Sequence, residues 1–473
     1  MSKVLFVDLF ADLYDLHGVY QLSSCLKQYG IEACYIKERN YKKALGKIAE
    51  IKPDLLLYSS FSSAICTYSE FDGIAKKIFK IKSVIGGPGP TFDWKCLDNS
   101  SIDAACIGEG ELALVEFINN GFQGKKNIFR KGEKPPIEFY PLAELDNLPF
   151  PDREVAYRVD AIVRNMPSKQ FLSGRGCPYE CTYCFNKTFR EIFKNHGPTV
   201  RKKSVDYLLE EIRLVRKEYP LLNVVFNEDT FILDKKWFLK FSERFPRETE
   251  GLSYTCNIRT NLVDETIVKA LSESNCIGVN WSIESGDDFL RNNILQRKMS
   301  EDQILNTATL LTRYKIPYRI GNVIGLPGEN FDQMLKTLEL NIRAKPSLGL
   351  ANIFVPFPGL ALTNYAIAKG YYKPQETKKL PKDFFTMSVL DVSPEQNKEI
   401  QKLMCLFPIF IKFPKLFRNL SLRNILFHLP VFLLRPLYTV FYAFHMMKLY
   451  LEKAPFFFRC QMAKRYIMNS LRW

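Results

Sequence analysis

The sequence is poor in the features that mark secreted, membrane-spanning or repetitive proteins. Only 12 of its 473 residues are cysteine, which is too few for a disulfide scaffold. No apolar run reaches the roughly 18 residues that a membrane span requires, and the nearest, residues 425–447, is interrupted by proline, arginine and histidine. A small-residue cleavage site of the secretory type and an internal repeat are both missing. We therefore expect a non-repetitive protein of the reducing cytoplasm.

The composition is that of a folded globular chain. Hydrophobic residues make up 47% and charged residues 25%, which excludes a disordered or fibrous protein. At roughly 150 residues per domain the length predicts about three domains. The net charge of +15 is concentrated in residues 401–473, which hold 12 Lys or Arg residues and one acid, Glu452. The basic character therefore belongs to the C-terminal region.

The first 120 residues alternate between short apolar runs and helical patterns. The pattern predicts strands at residues 3–9, 33–36, 54–58, 83–86 and 104–108, and helices at 19–29, 41–51, 68–80 and 111–119. This alternation predicts an α/β domain, a Rossmann-like doubly wound sheet of mostly parallel strands. Ligands of such sheets bind beyond the carboxyl ends of the strands.

Small and polar residues follow three of these predicted strands. They are Ser59, Ser60, Gly86, Gly87, Pro88, Thr91, Gly108, Glu109 and Gly110. Glycines and hydroxyls at such positions let a large flat ligand, or its nucleotide tail, approach the backbone. The same residues also fit plain turns, so this pattern by itself leaves both interpretations open.

A cluster of three cysteines lies in the middle of the chain, as Cys177-x3-Cys181-x2-Cys184. Three thiolates from one loop can hold three irons of a [4Fe–4S] cluster and leave the fourth iron open to a small molecule. Zinc sites usually take four ligands, and the nearest further candidate, His196, stands alone. Structural cysteines that cluster by chance are the remaining alternative.

This motif resembles the signature of the radical S-adenosylmethionine (radical SAM) superfamily, in which an aromatic residue directly precedes the last cysteine. Six strand candidates fit the order of that family's barrel, at residues 170–173, 222–226, 253–256, 276–283, 318–325 and 349–355. Helical patterns separate them, one of them beginning at Ser204 and another at the capping box of Ser300 and Gln303. The resemblance implies a central (β/α)6 partial TIM barrel with its cofactors at the carboxyl ends of the strands.

The resemblance also implies contacts with S-adenosylmethionine. Tyr183 matches the aromatic residue whose backbone meets the adenine. The other matching positions lie near strand ends, at Glu228, Asp229, Arg259, Glu284, Val323 and Gly325. The family's usual Gly-Gly-Glu is absent at residues 227–229. Each of these residues also fits a role in a cap, a salt bridge or a turn.

A parallel sheet before such a barrel resembles the cobalamin-binding subfamily, which shares a Gly-Glu-Gly-Glu, here 108–111, and a connector like 145–152. The resemblance implies that the strand-end residues named above bind cobalamin. The Asp-x-His-x-x-Gly loop of cobalt-ligating domains is not intact, because Tyr20 replaces its glycine after Asp15 and His17. We expect His17 to be a loop residue, which leaves the lower face of the cobalt unassigned.

The resemblance implies a division into a cobalamin-binding domain (1–125), a connector (126–165), a radical SAM barrel (166–365) and a helical C-terminal region (366–473). It implies a [4Fe–4S] cluster on Cys177, Cys181 and Cys184 that yields a 5′-deoxyadenosyl radical, with cobalamin-dependent methylation of an unactivated carbon. Reduced ferredoxin or flavodoxin would supply electrons. An oxidative cyclase or rearrangement enzyme is the alternative, and a non-catalytic cobalamin sensor would leave the cysteines without a role.

The C-terminal region combines its positive charge with 11 Phe, 4 Tyr and Trp473. Residues 407–418 interleave aromatic and basic side chains, and residues 440–451 have an apolar helical pattern. Two roles fit: a helical cap on the barrel, or a peripheral contact with anionic lipid on the inner face of the membrane. Nucleic acid would also attract this charge, but we expect none as a partner. The second role predicts a small apolar or lipid-like substrate.

Overall fold

The computed structural model describes residues 2–10, 15–133, 138–374 and 385–451, with side chains up to residue 446. The end of the basic tail, residues 452–473, lies outside the described residues. The chain forms two compact units, each described here by itself. The first comprises Met1–Pro178, Cys184–Leu221 and Phe357–Leu360, and the second Tyr179–Tyr183, Leu222–Pro356 and Ala361–Trp473. The predicted division into four regions stays a prediction.

The first unit is built on a sheet in the order β2-β1-β3-β4-β5-β6. Its strands are β1 (Lys3–Asp8), β2 (Glu32–Lys37), β3 (Leu55–Ser59), β4 (Lys82–Gly86), β5 (Ala104–Cys106) and β6 (Ile128–Arg130). The first five are parallel, and β6 pairs with β5 in the antiparallel sense. The predicted doubly wound parallel sheet is therefore confirmed, and β6 is an edge strand that the sequence pattern did not predict.

Helices connect these strands and cover the sheet. They are α1 (His17–Gln28), α2 (Tyr41–Ile51), α3 (Ile65–Phe79), α4 (Pro88–Phe92) and α5 (Glu111–Asn119). Leu5, Leu56 and Ile85 of neighbouring strands are fully buried in one apolar core. Because the strands are covered by helices, their sequences are continuous apolar runs rather than alternating patterns.

The rest of the first unit continues from the connector into the cysteine motif and beyond it. Its elements are α6 (Glu154–Tyr157), α7 (Ala161–Asn165), β7 (Ser168–Phe171), β8 (Gly174–Arg175), α8 (Phe185–Ile192), β9 (Arg201–Lys202) and α9 (Val205–Glu218). Strands β8 and β9 are antiparallel, with Arg175 opposite Arg201. Helix α9 begins where predicted, because the Ser204 hydroxyl accepts a hydrogen bond from the Tyr207 amide at 3.1 Å.

The second unit holds a parallel sheet in the order β14-β13-β12-β11-β10. Its strands are β10 (Asn223–Phe226), β11 (Ser253–Asn257), β12 (Cys276–Glu284), β13 (Tyr318–Ile324) and β14 (Leu348–Ile353). The intervening and following helices are α10 (Lys235–Glu248), α11 (Glu265–Glu273), α12 (Glu301–Arg313), α13 (Phe331–Ala344) and α14 (Ala361–Ala368). Together with β7, these are the six strands predicted for the partial barrel, and the predicted capping box of Ser300 and Gln303 is present.

The C-terminal region is helical, as predicted. It consists of α15 (Pro394–Lys412), α16 (Pro414–Arg418), α17 (Leu420–His428) and α18 (Val431–Leu451). Leu403, Phe407 and Phe410 of α15 are fully buried in a core shared with β14 and α13. Among the described residues, no single helix is long and apolar enough to cross a membrane. The helices Leu420–His428 and Val431–Met446 have sufficient length and apolar composition only when taken together, and they are bent by 109° relative to each other.

Candidate functional site

A cavity of about 400 Å³ opens at the carboxyl ends of β3, β4 and β5 in the first unit. Its lining includes most of the strand-end residues proposed from the sequence, namely Ser59, Gly86, Gly87, Pro88, Thr91, Gly108, Glu109 and Gly110. Ser60 is not part of the lining. It is buried behind the cavity, where its amide donates to the Gly86 carbonyl and its carbonyl accepts from the Gly89 amide.

Thr91 holds two of these strand ends together. Its hydroxyl donates to the Gly87 carbonyl at 2.8 Å and accepts from the Gly108 amide at 2.9 Å. Gly87 has a φ of 95°, and a Cβ there would lie 2.9 Å from the Ser60 carbonyl oxygen. A glycine is therefore required where the ends of β3 and β4 come together, which keeps side chains out of this edge of the cavity.

Four of the charged side chains that line the cavity form one ion-paired group. Glu109 accepts hydrogen bonds from both Arg175 and Arg201, and Arg175 also donates to Glu111 at 2.6 Å. Burial alone would raise the pKa of Glu109, but the guanidinium groups of Arg175 and Arg201 outweigh it and hold this pKa well below its usual range. Of this group, only Glu109 was predicted as a cavity residue, and Glu111 was noted only as the end of the Gly-Glu-Gly-Glu at 108–111. Nothing in the sequence pairs it with arginines 66 and 92 residues further along.

His17 also lines the cavity. It is the first residue of α1 rather than a loop residue, because the helix begins two residues earlier than the apolar pattern predicted. Burial, reinforced by the charge of Arg153, lowers the pKa of His17 to about 3. The imidazole is therefore neutral at any ordinary pH, and within the described part of the chain its buried Nε2 has no hydrogen-bond partner.

The three cysteines of the motif lie in different local settings. Cys177 and Cys184 belong to the first unit, and Cys181 belongs to the second. Cys184 directly precedes α8, and the amide of Asn186 lies 3.5 Å from its sulfur. The Arg190 guanidinium donates to the Cys177 carbonyl.

No three His, Cys, Asp or Glu side chains among the described residues are grouped so as to hold one metal ion. A [4Fe–4S] cluster needs a wider arrangement of ligands than a single metal ion, because each cysteine binds a different iron. The absence of a single-ion site therefore does not bear on the cluster that the motif predicts.

Tyr183 and Glu284, both predicted from the sequence, are joined in the second unit. The Tyr183 hydroxyl donates to Glu284 at 2.9 Å and accepts from Arg297 at the same distance. Arg297 also lies 3.8 Å from the Glu284 carboxylate. Burial alone would lower the pKa of Arg297, but Tyr183 and Glu284 outweigh it and raise this pKa. Arg297 was missed because its role depends on a contact that sequence spacing does not encode.

Two arginines face the sulfur of Cys181. The guanidinium nitrogens of Arg259 and Arg297 lie 3.7 and 3.9 Å from its Sγ. Arg259, the one of the two that was predicted from the sequence, also stacks over the ring of Tyr179 at 3.7 Å. Positive charge therefore surrounds the middle cysteine of the motif.

The remaining predicted residues are more dispersed. Glu228 and Asp229 follow β10, and the Asn257 side chain donates to the Glu228 carbonyl at 2.9 Å. Val323 packs with Tyr183 against one apolar cluster. Gly325 has a φ of 68°, and a Cβ there would lie 3.2 Å from the Ile400 side chain. The positive φ thus favours glycine at 325 independently of any ligand, and the close approach of α15 adds to that preference.

Comparison with known proteins identifies the central part of the chain. Residues 171–340 match the family model of the radical SAM superfamily. They form a radical SAM domain. An uncharacterized methyltransferase of Pyrococcus horikoshii is 26% identical over 340 residues, which cover 68% of this chain and 71% of that protein. The sequence similarity therefore extends beyond the radical SAM domain.

A second relative is an anaerobic magnesium-protoporphyrin IX monomethyl ester cyclase of Rubrivivax gelatinosus. It is 24% identical over 336 residues, which cover 66% of this chain and 58% of the cyclase. The chain thus spans less than two thirds of the cyclase's length. Methyltransferases and a cyclase both occur among the proteins that resemble this one.

Two solved structures of radical S-adenosylmethionine enzymes, one of them described as cobalamin-dependent, have a similar fold. The radical S-adenosylmethionine methyltransferase TsrM of Kitasatospora setae aligns with a TM-score of 0.63 at 15% identity, over 84% of this chain and 83% of that one. The cobalamin-dependent radical enzyme OxsB aligns with a TM-score of 0.66 at 13% identity, over 100% of this chain and 80% of that one. At these identities the structural similarity establishes only the fold, which agrees with the fold class predicted from the sequence.

Proposed function

We propose that this chain is a cobalamin-dependent radical SAM enzyme that methylates an unactivated carbon. The observation that carries the proposal is the Cys177-x3-Cys181-x2-Cys184 motif within the radical SAM domain. The proposal assigns these three cysteines to a [4Fe–4S] cluster whose fourth iron binds S-adenosylmethionine. Support for methylation comes from the methyltransferases among the relatives and from the fold shared with TsrM.

The glycine-lined edge of the cavity in the first unit suits the close approach of a large flat cofactor such as cobalamin. Its edge is made of Gly86, Gly87, Gly108 and Gly110, which present backbone rather than side chains, and Ser59 and Thr91 add hydroxyls. The buried Nε2 of His17 is a further polar atom at this cavity that no described residue satisfies. We assign cobalamin to these residues and leave the ligand below the cobalt open.

In the second unit, Tyr183, Arg259, Glu284 and Arg297 would prepare the site for S-adenosylmethionine. The hydrogen bonds of Tyr183 to Glu284 and Arg297 fix all three side chains in position before any ligand binds. The guanidinium groups beside Cys181 would offset the negative charge of a thiolate-bound cluster. We also assign Glu228, Asp229, Val323 and Gly325 to this cofactor on the match of their sequence positions.

The chemistry itself would come from the cofactors. When bound, the cluster would split S-adenosylmethionine to give a 5′-deoxyadenosyl radical, and cobalamin would carry the methyl group. The residues of this chain would hold these groups in place. Charged side chains at the cavity are paired with each other, for example Glu109 with Arg175 and Arg201. A reduced ferredoxin or flavodoxin would supply the electron.

We further propose that the substrate is a small apolar or lipid-like molecule. The support is the C-terminal region, which has exposed apolar side chains on α17 and α18 and a positive charge. A protein that contacts lipid gains direct access to such a substrate. Candidate lipids are therefore the first compounds to test, ahead of porphyrins and peptides.

The test is an anaerobic assay with S-adenosylmethionine that carries a deuterated methyl group. Methylation requires 5′-deoxyadenosine and S-adenosylhomocysteine to appear together, with deuterated methyl in the product. Cys181→Ala should lose cluster iron and sulfide and form no 5′-deoxyadenosine, whereas Cys66→Ala, an exposed cysteine outside the motif, should retain both. Wild-type levels of iron and 5′-deoxyadenosine in Cys181→Ala would refute the assignment.

The same assay distinguishes an oxidative cyclase or rearrangement enzyme, which the relative of Rubrivivax gelatinosus favours. That reaction would release 5′-deoxyadenosine without S-adenosylhomocysteine. No methyl group would then be transferred to any substrate.

A further inference from the structure

The last two described helices expose large apolar side chains to solvent. Six of them form what we call the apolar face, and between 42% and 61% of each side chain is exposed. They are Leu422 and Ile425 of α17, and Leu433, Leu437, Val440 and Phe444 of α18. Large apolar side chains that stay exposed along two consecutive helices are typical of a contact with another molecule or with a membrane.

Helix α18 is apolar on two opposite sides. Leu433, Leu437, Val440 and Phe444 follow a spacing of four, three and four residues, so they form one stripe along the helix. Leu434 and Tyr438, on the other side, are buried in the core shared with α15. A helix at the surface of a protein in water normally has a polar outer side, whereas the outer stripe of α18 is apolar as far as its side chains are described, up to residue 446.

The geometry fits a helix pair that lies on a bilayer rather than crossing it. Helix α17 has 9 residues, which at about 1.5 Å per residue is far shorter than the roughly 30 Å hydrocarbon core. The bend of 109° between the two helices prevents them from joining into one straight span. Since one side of α18 packs on the protein, lipid can reach only its outer stripe.

The charged side chains within residues 401–446 are all basic, although Arg418 pairs with Glu339 of α13 at 3.4 Å. Residues 401–446 contain no acid and hold Lys402, Lys412, Lys415, Arg418, Arg423 and Arg435. Lys412 and Lys415 are exposed and flank Phe413, which is 51% exposed. A second copy of this chain would bring like charges together, whereas anionic phospholipid headgroups would neutralise them.

We propose that the apolar face docks on a bilayer that contains anionic phospholipid. Its side chains enter the boundary between headgroups and acyl chains, and Lys412 and Lys415 contact lipid phosphates. The contact is peripheral. It goes beyond the proposed reaction and does not depend on it, because docking requires no cofactor.

The test is flotation of the full-length protein, without S-adenosylmethionine, on phosphatidylcholine vesicles made with and without phosphatidylglycerol. We expect binding to the vesicles that contain phosphatidylglycerol, weakened when NaCl rises from about 0.1 M to about 0.5 M. Leu433→Ser with Leu437→Ser should weaken binding at least about tenfold. Ile74→Ser with Ile78→Ser is the matched control, since these residues are also exposed and four apart on one helix, α3, and it should bind as wild type.

A second variant separates charge from apolar contact. Lys412→Gln with Lys415→Gln alters only exposed side chains, and it should reduce the preference for phosphatidylglycerol while far-UV circular dichroism stays unchanged. Absence of vesicle binding by the wild type, or equal loss in both serine variants, would overturn the proposal. So would a stable dimer in light scattering that Leu433→Ser with Leu437→Ser dissociates, because the face would then join two copies of this chain.

Discussion

At the scale of single residues, Glu109 is notable because its carboxylate pairs with two arginines at once. One carboxylate, with 16% of its side chain exposed, accepts hydrogen bonds from Arg175 on β8 and Arg201 on β9. Those strands pair with each other, so the two guanidinium groups lie side by side and repel unless an acid lies between them. Without Glu109, the buried guanidinium of Arg201 would lose the carboxylate with which it forms an ion pair.

We expect Glu109→Gln to lower the free energy of unfolding by about 3 kcal/mol in urea titrations. The pKa of Glu109 is lowered in the folded state, so its stabilisation is present above its ordinary pKa of 4.5 and is lost as pH falls toward the folded value. The difference between variant and wild type should therefore hold from pH 8 to about pH 5 and shrink in stronger acid. Glu133→Gln, which removes an exposed acid 3.8 Å from Arg130, should change stability by less than about 0.5 kcal/mol. Equal losses in the two variants would contradict this account.

The residues of the cavity divide by what the sequence can encode. Gly86, Gly87 and Gly108 were predictable, because each follows an apolar strand and the ends of parallel strands meet at one edge. Arg201 was not, because it reaches the cavity through the pairing of β9 with β8, and two-residue strands leave no periodic pattern. Ser60 was predicted at the same edge but turns its backbone toward β4 instead.

At the scale of elements, long helices and buried strands were predictable and short or proline-containing ones were not. Helix α2 has the predicted bounds, since Asn40 caps its first turn. Strand β6 was missed because three residues give no pattern, and it forms only by pairing with β5. The sequence predicted α18 only from residue 440, because Pro436 normally ends a helix. The helix begins at Val431 because the burial of Leu434 and Tyr438 offsets that cost.

The turn after β13 contains a half-buried glutamate, Glu329, whose buried carboxyl oxygen makes the stability of the turn depend on pH. Glu329 accepts a hydrogen bond from the Leu326 amide at 3.0 Å. Burial outweighs this bond and raises the pKa of Glu329 to about 8. A raised folded pKa means that the stabilisation is complete below the ordinary value of 4.5 and is lost as pH rises through about 8.

We therefore expect the melting temperature of the wild type to fall between about pH 5 and pH 8 more steeply than that of Glu329→Gln. The amide keeps an acceptor for Leu326 and cannot ionise. Glu265→Gln, at an exposed ion pair with Arg313, is the matched control and should keep the slope of the wild type. Thermal unfolding at several pH values measures this difference, and identical slopes in all three proteins would exclude Glu329 as the cause.

At the scale of the whole molecule, the residues proposed for the two cofactors are distributed unevenly over the two compact units. The cavity assigned to cobalamin is formed entirely by residues of the first unit. Cys181 and the arginines beside it belong to the second. Cys177 and Cys184 belong to the first unit, but none of the three cysteines lines the cavity. A substitution at one site should therefore leave the residues of the other site unchanged.

We expect cofactor content to respond separately to one substitution in each unit. Thr91→Val keeps the shape of the side chain but removes the hydrogen bonds that join Gly87 and Gly108, so cobalamin should bind about tenfold more weakly. Its iron and sulfide content should equal that of the wild type. Cys181→Ala should lose cluster iron and keep its affinity for cobalamin. Iron, sulfide and cobalamin measured on the same anaerobic preparations test this, and loss of both cofactors in either variant would mean that the two sites cannot form independently.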